Sequence, residues 1–203
     1  MKKRIIAFLL MMIMLMSSMT NVLAVSFSDL DSDHWAYEYI TTLADSGVIN
    51  GYTDGTFKAE KEITRGEFFK LVMTTLYGSK YFEINGINLG HWASMYSFEA
   101  YRLEYMMKDS SITDLDIQIS RLEMAHVLAK ICVKNNFKNK TENAQEIKFS
   151  DIKSLNAQSK EYIEIVVENE LINGYTDGTF KPDKYMTRAE IATVIYRFQN
   201  LIY

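Results

Sequence analysis

Three tetrapeptides place an arginine directly after a hydroxyl residue and two positions before a glutamate: Thr64-Arg65-Gly66-Glu67, Ser120-Arg121-Leu122-Glu123 and Thr187-Arg188-Ala189-Glu190. The hydroxyl and the carboxylate have a structural reason. In a capping box the hydroxyl accepts from the third backbone N–H of a helix, and the glutamate accepts from the N–H of the cap. The arginine has no such reason, because a cation in the first turn opposes the helix dipole at about 0.3–1 kcal/mol. Three placements point to an anion. Arg65, Arg121 and Arg188, with the free N–H groups of the helix ends, are expected to converge on a carboxylate or phosphate. Replacing Arg65 and Arg188 by alanine is then expected to change stability by no more than about 1 kcal/mol. The competing reading pairs each arginine with a neighbouring carboxylate.

The elements that must position these side chains recur. The decapeptide Ile-Asn-Gly-Tyr-Thr-Asp-Gly-Thr-Phe-Lys occupies residues 49–58 and, unchanged, residues 172–181. Phe27-Ser28-Asp29 matches Phe149-Ser150-Asp151, so a unit of about 55 residues repeats. A middle copy is announced by His91-Trp92-Ala93, which echoes His34-Trp35-Ala36, but its loop reads Lys108-Asp109-Ser110-Ser111-Ile112-Thr113-Asp114 and has no glycine. Trp35, Ala36, Tyr39, Ile40 and Leu43 fall at helical spacing, with Gly47 as a left-handed terminator. A tight turn is expected at Thr53-Asp54-Gly55-Thr56. A second helix starts at Thr64, its apolar residues recurring at three and four, as do Ile191, Val194, Ile195 and Phe198 in the last copy. Two short helices bury too little alone, so a mainly α fold is expected, three helix-loop-helix copies packed around one axis.

This combination of a Phe-Ser-Asp opening, a Trp-Ala helix, an Asn-Gly-Tyr-x-Asp-Gly-Thr-Phe loop and a Thr-Arg-x-Glu helix start resembles the S-layer homology family. The resemblance implies three modules in a pseudo-threefold helical spindle that attaches an exported protein, without a covalent bond, to a secondary cell-wall polysaccharide, a polymer that often bears pyruvylated sugar. The corresponding division is residues 1–24 signal peptide, 25–79 first repeat, 80–134 second repeat with a degenerate loop, 135–146 linker and 147–203 third repeat.

A ketal-linked pyruvate offers one carboxylate per sugar, which the arginines would take. Trp35 and Trp92, and from the loops Tyr52 and Tyr175, are candidates to lie on a sugar face, although tryptophan at helical spacing is more often core. The third copy has Gln158 at that position. Asn50-Gly51 and Asn173-Gly174 are candidates because asparagine both donates and accepts while glycine lets backbone N–H groups approach a ligand. A plain turn explains them equally well.

Lys2, Lys3 and Arg4 precede an apolar run over residues 5–16, too short to span a bilayer, and Val22-Leu23-Ala24 fits a signal-peptidase site. Cleavage after Ala24 is expected, and with it secretion to the cell wall. Removal takes away three cations and none of the 26 acidic residues, moving the formal charge from −4 to −7. That balance argues against nucleic acid and anionic lipid as partners. Cys132 is the only cysteine, so the chain has no internal disulfide. Asp29-x-Asp31-x-Asp33 lacks the glycine and glutamate of a calcium loop. His34, His91 and His126 have no metal-ligand spacing, and no nucleophile and base or paired carboxylates stand out. No enzyme, metal or cofactor is expected. The alternatives carried forward are a self-assembling surface-layer subunit and a peptidoglycan binder independent of the secondary polymer.

Overall fold

The computed structural model describes residues 25–85, 90–106, 114–137 and 148–203. The expected signal peptide, Lys108 to Thr113 of the middle loop and most of the expected linker lie outside the described residues.

Seven helices are present among them: α1 (Tyr37–Asp45), α2 (Arg65–Tyr77), α3 (Ser79–Asn85), α4 (Ser94–Arg102), α5 (Arg121–Asn135), α6 (Ala157–Glu168) and α7 (Arg188–Ile202). No β-strand accompanies them there, and the mainly α expectation holds. The short α3, begun just after Gly78, was not expected from the sequence.

The first helices start by an unforeseen device. The His34 imidazole Nδ1 accepts the N–H of Ala36, and His91 Nδ1 that of Ala93, at 3.2 and 3.1 Å, so histidine holds the residue that precedes α1 and α4. In the third copy a true cap stands at this place, the Asn156 side chain accepting the Ser159 N–H at 2.8 Å. The second helices start as expected, with full capping boxes at Thr64 and Thr187. At α5 the Ser120 hydroxyl accepts from the Glu123 N–H, but the reciprocal bond that completes the box elsewhere is not formed.

The copies interlock in a ring. The second helix of each copy packs on the first helix of the next: α2 on α4, α5 on α6, and α7 back on α1. Near the axis three buried residues close a cycle of backbone bonds, Ile63 N–H to Met186 O at 3.0 Å, Met186 N–H to Ile119 O at 3.2 Å and Ile119 N–H to Ile63 O at 3.1 Å. These pairings set the apolar faces of both helices of a copy against a neighbouring copy, and Phe57, Phe68, Phe69, Phe180 and Phe198 fill the interior. No copy makes its core alone.

Each decapeptide loop is pinned from the start of its own copy. The Asp29 carboxylate accepts the N–H groups of Phe57 and Lys58 at 2.7 and 2.8 Å, and Asp151 those of Phe180 and Lys181 at 2.9 and 2.7 Å. Burial works against the charged form of Asp29, yet those N–H groups hold its carboxyl below the usual carboxylate range. The expected turn is present, with Gly55 at φ 81° and Gly178 at φ 77°.

Candidate functional site

The first-turn N–H groups that would greet an anion are already engaged. Arg65 and Gly66 donate to Ile117 O and Leu115 O, Arg121 and Leu122 to Lys184 O and Pro182 O, and Arg188 and Ala189 to Lys61 O and Ala59 O, all at 2.9 Å. In each case the acceptor lies in the loop of the next copy around the ring. The expectation of free helix-end N–H groups is corrected: these ends hold the ring together.

The guanidinium groups continue the same work. Arg188, 9% exposed, donates from Nε to Phe57 O and from Nη2 to Asn50 O, both at 2.8 Å, and lies 4.9 and 4.5 Å from the ring centres of Tyr52 and Phe57. Arg121, 5% exposed, donates from Nη2 to Asn173 O and lies 4.8 and 4.9 Å from the rings of Tyr175 and Phe180. Burial pulls its pKa down from the ordinary arginine value. Its Nε is buried and has no hydrogen-bond partner among the described residues. Two rings against each guanidinium and the carbonyls that accept from it compensate the unfavourable dipole position. For Arg188 the expectation that alanine costs no more than about 1 kcal/mol does not survive this geometry, because removal would take the donor from the buried Phe57 carbonyl and the part-buried Asn50 carbonyl.

Arg65 differs. Its Nε sits 2.7 Å from Glu123 Oε1, off the line of a good hydrogen bond but within a close ion pair, with both side chains largely buried. The reading in which an arginine pairs with a neighbouring carboxylate therefore describes one of the three.

The loop glycines have a packing reason. A Cβ at Gly51 would stand 2.4 Å from the Phe27 ring and 2.8 Å from Thr56 O, and one at Gly174 would stand 2.0 Å from the Phe149 ring. The phenylalanine of the Phe-Ser-Asp opening fills the space that was expected to admit a ligand. Tyr52 and Tyr175 are likewise occupied. Lys58 and Arg188 lie over the Tyr52 ring, and Lys181 and Arg121 over Tyr175, while the two hydroxyls meet Lys61 at 3.0 Å and Glu190 at 2.9 Å.

Trp35 and Trp92 are 57% and 52% exposed, each immediately before its helix and beside its histidine ring. The default that places such tryptophans in the core fails for both. Each edges a groove made from all three copies. One groove, about 560 Å³, brings Trp92 of the second copy, Asn50, Glu67 and Lys70 of the first and Arg188 of the third together. The other, about 170 Å³, brings Trp35 of the first copy, Asn173, Glu190 and Arg197 of the third and Arg121 of the second together, and Asn173 and Arg197 also border an adjoining cavity of about 380 Å³. Asn50 and Asn173 are exposed while their backbone carbonyls hold the arginines.

Lys70 and Arg197 were missed by sequence reasoning. The signal available was their spacing, three and seven residues after the capping glutamate, which puts them on the same helix face. The third junction has a larger cavity, about 760 Å³, where Gln158 replaces tryptophan and Tyr101 and Val133 are exposed. Its cations are engaged: Arg102 with Glu99, Lys134 with Glu104, and Lys130 with Met106 O. Among the described residues no three His, Cys, Asp or Glu side chains gather to hold a metal, and no helix is long and apolar enough to cross a membrane.

Two segments of the chain, residues 26–69 and 148–192, match the S-layer homology domain model. The middle copy lies outside both matches. Among curated proteins, the chain is 27% identical over 85% of its length to exoglucanase XynX of Acetivibrio thermocellus, of which the alignment spans 16%. It is 26% identical over 84% of its length to the S-layer protein of Bacillus thuringiensis subsp. finitimus, spanning 21% of that protein. It is 41% identical over 39% of its length to the cellulosome-anchoring protein of Acetivibrio thermocellus, spanning 17% of that one. The chain thus aligns with about a fifth or less of these relatives.

Proposed function

We propose that the chain is a non-covalent anchoring module of three S-layer homology units, the middle one divergent, that binds a pyruvylated secondary cell-wall polysaccharide in the grooves between copies. The two domain matches and relatives that include an S-layer protein and a cellulosome-anchoring protein support attachment at the cell surface. The observation that carries the finer reading is the double occurrence of one arrangement: an exposed tryptophan from one copy, an exposed asparagine and a helix-borne cation from a second, and a buried arginine from a third.

The chemistry follows from those parts. An indole face takes the apolar face of a sugar ring. Asparagine donates to and accepts from hydroxyls. Lys70 or Arg197 meets the carboxylate at the groove surface, backed by the positive potential of Arg188 or Arg121 beneath. An acidic protein binds an acidic polymer because these cations are local. Two modest grooves on one chain raise avidity well above either alone. Export is part of the proposal: residues 1–24 act as a signal peptide cleaved after Ala24, leaving the remainder in the wall.

The test is sedimentation of the secreted protein with purified walls before and after chemical removal of pyruvyl groups. Binding that disappears with those groups is the expected result. Retention on walls stripped of all secondary polymer would favour peptidoglycan, and ordered sheets without polymer would favour a surface-layer subunit.

A further inference from the structure

The three junctions repeat one backbone pattern but not one charge arrangement. At two of them the arginine donates to loop carbonyls and lies against a tyrosine, and the capping glutamate completes its box without meeting the arginine: Glu67 Oε2 accepts the Thr64 N–H at 2.9 Å, and Glu190 Oε2 that of Thr187 at 3.0 Å, while Glu190 Oε1 pairs with Lys184 at 2.5 Å. In the Arg121 groove the Tyr175 ring stacks on the guanidinium while its hydroxyl donates to Glu190 Oε1, so the ring stands between cation and carboxylate. At the third junction the aligned loop, residues 107–114, contains no tyrosine. There Glu123 leaves its box incomplete and faces Arg65 at 2.7 Å.

We infer that Glu123 is an internal carboxylate occupying Arg65, so that the chain has two carboxylate-binding grooves and a third junction whose arginine is neutralised by the chain's own side chain. The inference rests on the groove reading above. Three physical points support it. Arg65 and Glu123 are both largely buried, and a buried pair is retained because removing either charge alone is costly. Among the described residues Arg188 has no carboxylate partner, its bonds running from Nε and Nη2 to the carbonyls of Phe57 and Asn50. The third junction also lacks a tryptophan, with Gln158 there instead, so no indole is left to hold a sugar.

The test is calorimetric titration of the full chain with a synthetic hexoside carrying a 4,6-linked pyruvate ketal. Two sites per chain are expected in the wild type and two in the double variant Arg65→Gln/Glu123→Gln, which removes both charges together and so avoids an unpaired buried ion. Trp35→Ala is expected to leave one. Three sites in the wild type, or a lower number in the double variant, would overturn the inference. Absence of all binding would overturn the groove reading instead. The internal pair is then read separately, from exchange of the Arg65 Nε–H with water by NMR: slow exchange in the wild type that becomes at least tenfold faster in Glu123→Gln is expected, and equal rates contradict it.

Discussion

Two junctions of this ring hold their arginine by neutral carbonyls and aromatic rings, and the third holds it by a carboxylate. The difference shows that the Thr-Arg-x-Glu start is first a device for closing the ring. A guanidinium stacked beneath a loop fixes that loop while projecting positive potential into the groove above it. Once a carboxylate meets the guanidinium directly, the same residue still ties two copies together but offers nothing outward.

The largest test of this contrast is stability. Arg188→Ala should cost about 2–4 kcal/mol in denaturant unfolding, because the carbonyls of Phe57 and Asn50 lose their donor. Arg65→Gln/Glu123→Gln should stay within about 1 kcal/mol, since replacing both members of a buried pair is often neutral. Equal losses would erase the contrast.

His126 gives the next effect, at the interface of the second and third copies. Its Nε2 lies 3.1 Å from Ser159 Oγ, Nδ1 is buried without a partner among the described residues, and burial, with Lys130 nearby, pushes its pKa down to about 4. The unfolded imidazole takes up a proton below its ordinary 6.5, whereas the folded one does so only near 4. The unfolded state therefore binds more protons in that window, and stability is lost as pH falls through it, by about 3 kcal/mol in all. Unfolding curves at pH 7 and 4.5 should show most of this loss, and His126→Gln should remove it.

The loops yield smaller changes. Gly51→Ala should destabilise by about 1–3 kcal/mol through overpacking against Phe27 and Thr56 O. Gly55→Ala, which meets nothing within 4 Å, should cost only the roughly 1–2 kcal/mol of a left-handed φ. A reversed order would return Gly51 to the role of admitting a ligand.

The capping glutamates sharpen the comparison by titration. For Glu190 burial opposes ionisation, but Lys184, the Thr187 N–H and Tyr175 prevail and hold the carboxyl below its ordinary range. For Glu123 burial prevails over Arg65 and the nearby Ser120 N–H and pushes the carboxyl up. Stability from Glu190 is present above its unfolded value and lost as pH falls through the folded one. That from Glu123 runs the other way, greatest below its unfolded value and lost as pH rises through the folded one. Carboxyl NMR should find the two on opposite sides of 4.5.

Much of this was legible locally. Capping boxes, the tight turn, the periodic apolar faces and Gly47 at φ 73° all follow from short-range geometry. At the equivalent helix ends Glu104 and Glu170 adopt φ 57° and 56°, a left-handed stop that no glycine announces. The role of each arginine was hidden because its partners lie 52 to 138 residues away in other copies. The tryptophans looked like core because their spacing suits a helix that in fact starts two residues later. Gly51 suggested a ligand because the Phe27 ring that fills its side is 24 positions upstream.

The central claim is that the exposed indoles and the cations behind them grip wall polysaccharide. Its most direct test compares the wild type with Trp35→Ala/Trp92→Ala in sedimentation with purified pyruvylated walls, since surface substitutions of this kind should move stability by only about 0.5 kcal/mol. At least a tenfold loss of bound protein with an unchanged unfolding curve is predicted. Undiminished sedimentation of the double variant would contradict the account.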